Sequence, residues 1–162
     1  MAWSDNMIPL FRAYSGDAVA PYTYDDARVI DLLISAAPMV LLEIDFDNDY
    51  VVDIVGKDIS PDPTVTGEQA FEILVALKAA CIVAFSEYRT AAQQGMMVRD
   101  GPSAIDTRAR IAGLKAVADE KCKAYKDART AYALGDGMAG LAIVGPHLTD
   151  ESEGAGGGPG GR

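Results

Sequence analysis

From Ala70 to Val83 the chain reads AFEILVALKAACIV, fourteen residues whose only charges are Glu72 and Lys78. Thr66 and Gln69 stand before it at the spacing of a capping box, and the residues toward Met97 become polar. The run therefore predicts one helix from about Gly67 to Met97, on the order of 45 Å long at about 1.5 Å per residue. An ordinary surface helix carries its apolar residues as a stripe, whereas the first half of this one is apolar nearly all round and has to be surrounded. A chain of 162 residues can barely provide that cover. Part of the helix surface is expected to face another subunit. Ala76, Ala80 and Ala84, small and four apart, are the expected contact face.

Two further segments have the helical spacing needed to cover it. Val29, Leu32, Leu33, Ala36, Val40 and Ile44 recur at threes and fours after Thr23 and Asp26, which predicts a helix from Tyr24 with a kink or restart at Pro38. Ile111, Leu114, Ala118, Cys122, Tyr125, Ala128 and Tyr132 form a second face, opened by Ser103 and Asp106 and stopped at Gly135 or Gly137. The turn Asp100-Gly101-Pro102 makes this last helix antiparallel to the apolar one. Cys81 lies twenty residues before Gly101 and Cys122 twenty-one after it. The two cysteines are expected to face each other across the seam, both reduced in a cytosolic setting.

Between the first two helices lie an acidic turn, Asp45 to Asp49, a short strand, Tyr50 to Val55, and an extended loop, Ile59-Ser60-Pro61-Asp62-Pro63. Residues 1–22 show no clear period and hold Trp3, Phe11 and Tyr14 among Pro9, Gly16 and Pro21. They read as an extended N-terminal arm that docks on its own domain or on a neighbour. Leu141 to Val144 reads as a short strand, with Ile143 and Val144 as further contact residues. Residues 149–162, acidic and then Gly-rich, read as a flexible tail. The expected fold is mainly α: a three-helix core over 23–148 with a long antiparallel helical hairpin, a short β-strand and loop insertion, and extended terminal arms.

The net charge of −10 argues against wrapping nucleic acid and against an anionic membrane surface. The charge is uneven. Met1 to Thr66 holds twelve Asp/Glu against three Lys/Arg, while Ala104 to Leu134 holds four against seven. That pattern fits solvated faces, or head-to-side complementarity between copies of the chain. Two cysteines and one histidine, His147, are too few for a zinc site. Asp45, Asp47 and Asp49 have calcium-loop spacing, but Tyr50 and Gly56 stand where Gly and Glu are needed. Gly135 to Gly140 matches GxGxxG without the strand before it that a dinucleotide site requires. Arg108, Arg110 and Lys115 are candidate phosphate contacts, set among acids that favour a solvated or partner-facing helix. No spacing singles out a catalytic pair, so no enzyme, cofactor or metal is expected.

The order of parts carries a resemblance. Tyr24-Asp25-Asp26-Ala27-Arg28-Val29-Ile30-Asp31-Leu32-Leu33-Ile34 opens a helix that ends in the acidic turn. A Tyr50-led strand and the Ile59 to Pro63 loop come next. Leu77-Lys78-Ala79-Ala80-Cys81, Asp100 to Asp106 and a closing Ala142-Ile143-Val144-Gly145-Pro146 complete the series. Over residues 22–148 this resembles the head-to-tail connector (adaptor or neck) proteins of tailed bacteriophages. The resemblance implies a homo-oligomeric ring of copies, commonly twelve in that family, in the neck of the virion beneath the portal protein. It implies a downstream neck or tail protein as second partner, and DNA passing through the hole during ejection without sequence-specific binding. It implies no catalytic residues and no membrane. The other class the features fit is a small non-viral helical adaptor or chaperone-like binding module.

Overall fold

The computed structural model describes residues 3–94, 98–100, 103–105 and 108–135, and side chains outside 98–108. In chain order the elements are α1 (Trp3–Ser15), α2 (Asp26–Leu41), β1 (Val51–Asp53), β2 (Asp58–Ser60), α3 (Pro63–Thr66), α4 (Gln69–Gln94), β3 (Val98–Asp100), β4 (Ser103–Ile105) and α5 (Arg108–Ala133). The fold is mainly α with a short β insertion. The apolar run lies within α4, and α1, α2 and α5 all pack on it. From Phe71 to Ala84 no residue of α4 is exposed. By length and composition α4 could also cross a bilayer. Here it is the central core helix, with Phe71, Leu74, Val75, Ala76 and Ala79 fully buried.

The cover comes from three faces. Val29, Leu33, Ala36 and Val40 of α2 are buried at the expected spacing, with Ile34 and Ala37 beside them, and the helix continues through Pro38. Ala118, Tyr125 and Ala128 of α5 are buried as expected, and Gly135, at φ 71°, follows its last turn. The third face is a correction to the sequence reading. Residues 3–15 are a helix, not an extended arm, and Trp3, Met7 and Phe11 point from it into the core. Pro9 inside α1 removes one backbone donor, a small loss beside the burial of two aromatics and a methionine.

Local starts and stops differ in detail. α2 is capped by Asp25, whose carboxylate accepts from the Arg28 amide at 2.7 Å, rather than by Thr23. Thr66 does not cap α4. It ends α3, where its hydroxyl lies 2.7 Å from the Tyr50 hydroxyl, and Gly67 at φ 71° turns the chain into α4. The expected Tyr50 to Val55 strand is narrowed to β1, which pairs antiparallel with β2 so that Val51 faces Ser60 and Asp53 faces Asp58. Part of the predicted extended loop is thus a strand. Ser103 likewise lies in β4, paired with β3, and α5 begins at Arg108. Asp119 and Lys123 do not close the ion pair their spacing allows.

Polar clusters lock the layers. Arg12, buried on α1, donates to the Asp17 carboxylate at 3.0 Å, to the Tyr24 carbonyl at 3.0 Å and to Asp26 on α2 at 2.6 Å, with the Tyr22 ring against its guanidinium. Asp17 in turn accepts from the Thr23 and Tyr24 amides, and those bonds hold its carboxyl below the usual range against the cost of burial. Cys81 and Cys122 do face each other across the α4–α5 seam, with Cα atoms 4.6 Å apart. They are joined as a disulfide, which corrects the expectation of free thiols. At that separation the two side chains are within bridging reach.

Candidate interaction surface

The β1–β2 hairpin carries one group of uncovered apolar side chains, and Val19, Leu42, Val65 and Leu134 are exposed elsewhere. Asp53 shapes its tip: one carboxylate oxygen accepts from the Val55 amide at 3.0 Å and the Gly56 amide at 2.9 Å, the Asx-turn arrangement. Lys57 follows at φ 55° and its ammonium pairs with Asp31 on α2. Among the described residues only one hairpin face has a neighbour: Ile59 is buried while Val51, Ile54 and Val55 are 67%, 62% and 95% exposed. Five aspartates, Asp45, Asp47, Asp49, Asp53 and Asp58, flank these residues against the single Lys57. All five are exposed.

The preceding turn is anchored at Glu68, just before α4. Glu68 accepts from the Asp47 amide at 3.2 Å, the Asn48 side chain at 2.8 Å and the Tyr50 hydroxyl at 3.2 Å. Tyr50 stacks on Phe71 with ring centroids 4.1 Å apart, and Phe46 meets Phe71 edge-on at 5.3 Å. The hairpin therefore projects from a rigid base. Among the described residues no group of three or more His, Cys, Asp or Glu could hold a metal ion.

A groove of about 590 Å³ runs between α2, α4 and α5. Met39, Ile82, Phe85 and the disulfide line its apolar part, with Met39 and Phe85 43% and 41% exposed. Glu43 closes one end, accepting from Lys78 at 2.9 Å, Arg129 at 2.6 Å and the Tyr125 hydroxyl at 3.0 Å. The Lys78 hydrogen bond, with those of Arg129 and Tyr125, holds the Glu43 carboxyl down at about 2. Burial, with the Glu43 hydrogen bond, raises the Tyr125 hydroxyl. Four cations border the groove, Lys78, Arg89, Lys126 and Arg129, against two acids, Glu43 and Asp119. Lys78 and Arg129 are satisfied by Glu43, whereas Arg89 and Lys126 enter no ion pair among the described residues.

The expected contact residues lie elsewhere. Trp3, Phe11, Ala76, Ala80 and Ala84 are 5%, 0%, 0%, 1% and 8% exposed, and Tyr14 is half-buried against the same core. Their cover comes from within the chain, so they form no free docking face. Ile143 and Val144, like His147 and the tail, lie outside the described residues. Of the phosphate candidates, Arg110 borders a more polar cleft with Arg28, Ser86 and Thr90, and Lys115 is exposed. By sequence alone Val51, Ile54 and Val55 read as strand formers. The signal in the sequence is two apolar pairs, Val51-Val52 and Ile54-Val55, beside a tight turn. Comparison of the chain with family models, with curated proteins and with solved structures gives no match.

Proposed function

We propose that this chain is a structural head-to-tail connector subunit of a tailed phage. Copies of it form a ring beneath the portal, joining the capsid to the next neck or tail protein, with DNA passing through the hole. The observation that carries this reading is the pairing of a closed helical body with a rigidly based hairpin whose apolar residues are left to solvent. A protein that works by joining others needs such an exposed apolar feature and no reacting groups. The order of parts that resembles phage connectors supports the same reading, as does the net charge of −10, which would let DNA slide past without adhering.

The test is addition of the purified chain to isolated portal rings, followed by negative-stain imaging and mass measurement. The expected result is an added ring of density on the tail-facing side of the portal. Portal rings that keep their mass and outline in a large excess of the chain would overturn the reading.

A further inference from the structure

Two of the uncovered features among the described residues are complementary to each other. The hairpin tip presents Ile54 and Val55, 62% and 95% exposed, between exposed aspartates. The α2–α4–α5 groove offers an apolar lining around Phe85 and a rim on which Arg89 and Lys126 have no carboxylate partner among the described residues. Counting charges, the segment from Asp45 to Asp58 is five acids to one base, and the groove is four bases to two acids. The hairpin does not fill the groove of its own chain, since none of residues 51–60 lines it. Its tip is tied at Asp31 through Lys57, whereas Met39 at the groove is eight residues further along α2, about 12 Å at 1.5 Å per residue.

We infer that the β1–β2 hairpin of one copy docks in the α2–α4–α5 groove of the next, with Ile54 and Val55 against Phe85 and the flanking aspartates facing Arg89 and Lys126. The occupant is a second copy of this chain because charge and apolarity match on both sides. The inference rests on the connector reading only in supplying the contact between copies. Plug and socket are different surfaces, so the interface is heterologous and does not stop at a dimer: repeated, it gives a ring where the rotation closes and a filament where it does not. The charged rim orients the approach and makes association weaken with added salt.

Two crippled forms test it by sedimentation velocity and native mass measurement. Ile54→Asp with Val55→Asp destroys the plug and keeps the socket. Arg89→Glu with Lys126→Glu spoils the socket and leaves the plug, altering only exposed side chains so that the fold is kept; Phe85→Asp is a second socket variant. Wild type is expected to self-associate, and each crippled form to remain monomeric at ten times the concentration at which wild type assembles. An equimolar mixture of the two forms should give a one-to-one dimer and nothing larger, since only one plug and one socket remain intact. A plug or socket variant that assembles like wild type would overturn the inference, as would a mixture that stays monomeric. A wild-type chain that stays monomeric also overturns it, leaving the groove to residues 136–162 or to a different protein. None of these outcomes decides portal binding, so the connector reading fails separately, on the imaging experiment.

Discussion

Helix α4 and the β1–β2 hairpin are both richer in apolar residues than their own geometry can hide, yet only one of them is hidden. α4 lies in the middle of the chain's layers, and three helices close over it until Ala76, Ala79 and Ala80 have essentially no contact with solvent. Among the described residues the hairpin has two strands, one supported face and no third strand, and Val55 is 95% exposed. Apolarity alone therefore does not mark a contact surface. What marks it is apolarity on an element too small or too peripheral for the remaining chain to reach.

The largest expected effect breaks the covered side of the comparison. Ala80→Glu places a carboxylate at a 1% exposed position within α4. Burial of an unpaired charge is costly enough to remove the cooperative folding transition of a small domain. Circular dichroism during urea titration would show it, and a variant that melts like wild type would mean that α4 is not enclosed.

Next is the disulfide that holds α5 on α4. Cys81 and Cys122 are separated by 41 positions, and opening a loop of that length costs about 4 kcal/mol in the chain-entropy account. Cys81→Ser with Cys122→Ser should lower the urea midpoint accordingly, and reduction of the wild type should match it.

Glu43 gives a smaller, pH-dependent effect. Its carboxyl is held at about 2 in the fold against an ordinary 4.5, chiefly by the hydrogen bond from Lys78. A depressed pKa means that this stabilisation is complete above about pH 4.5 and is lost as the pH falls toward 2. Glu43→Gln should flatten that acid limb in urea midpoints measured from pH 6 to pH 2. Glu72 acts in the opposite sense: burial raises its carboxyl, so its ionisation opposes folding near neutrality and the penalty lifts as the solution is acidified. Glu72→Gln should therefore stabilise the protein at pH 7 more than at pH 4.5.

The smallest effect on stability belongs to the uncovered side. Ile54→Asp with Val55→Asp should change the folding free energy by no more than about 0.5 kcal/mol per substitution, as exposed positions do, while abolishing self-association. A large loss of stability would show that the hairpin is part of the core after all.

The parts of the fold set by helix geometry were legible in the sequence. Cys81 and Cys122 were placed opposite each other by counting residues from Gly101, because the rise per residue of a helix does not depend on side chains. Their oxidation could not be read that way. The register came from geometry, but the free thiols came from an assumed compartment. Helix α1 was missed although Trp3, Met7, Leu10, Phe11 and Tyr14 recur at helical spacing. Pro9 and Gly16 drew attention as breakers, yet Gly16 lies just past the helix end and Pro9 is tolerated inside it. Trp3 is the only tryptophan, and with 5% exposure its emission should already be blue-shifted in the isolated chain and move to the red on unfolding. The candidate surface was the least legible part, because exposure of Ile54 and Val55 depends on which distant elements fail to arrive. The hairpin's two apolar pairs are visible in its own residues, but which of them stays uncovered is not.

Arg12 has a consequence for the continuity of the backbone. Residues 18–22 form an exposed link between α1 and α2, the kind of site at which a protease cuts. Arg12 and Asp17 lie on one side of that link, while Tyr24 and Asp26, to which Arg12 donates, and the Thr23 amide, which donates to Asp17, lie on the other. A molecule nicked there keeps every one of these bonds, and Trp3, Met7 and Phe11 keep their places in the core. The two fragments would leave a sizing column together and separate only in denaturant, so covalent connection through this segment is dispensable once the protein has folded.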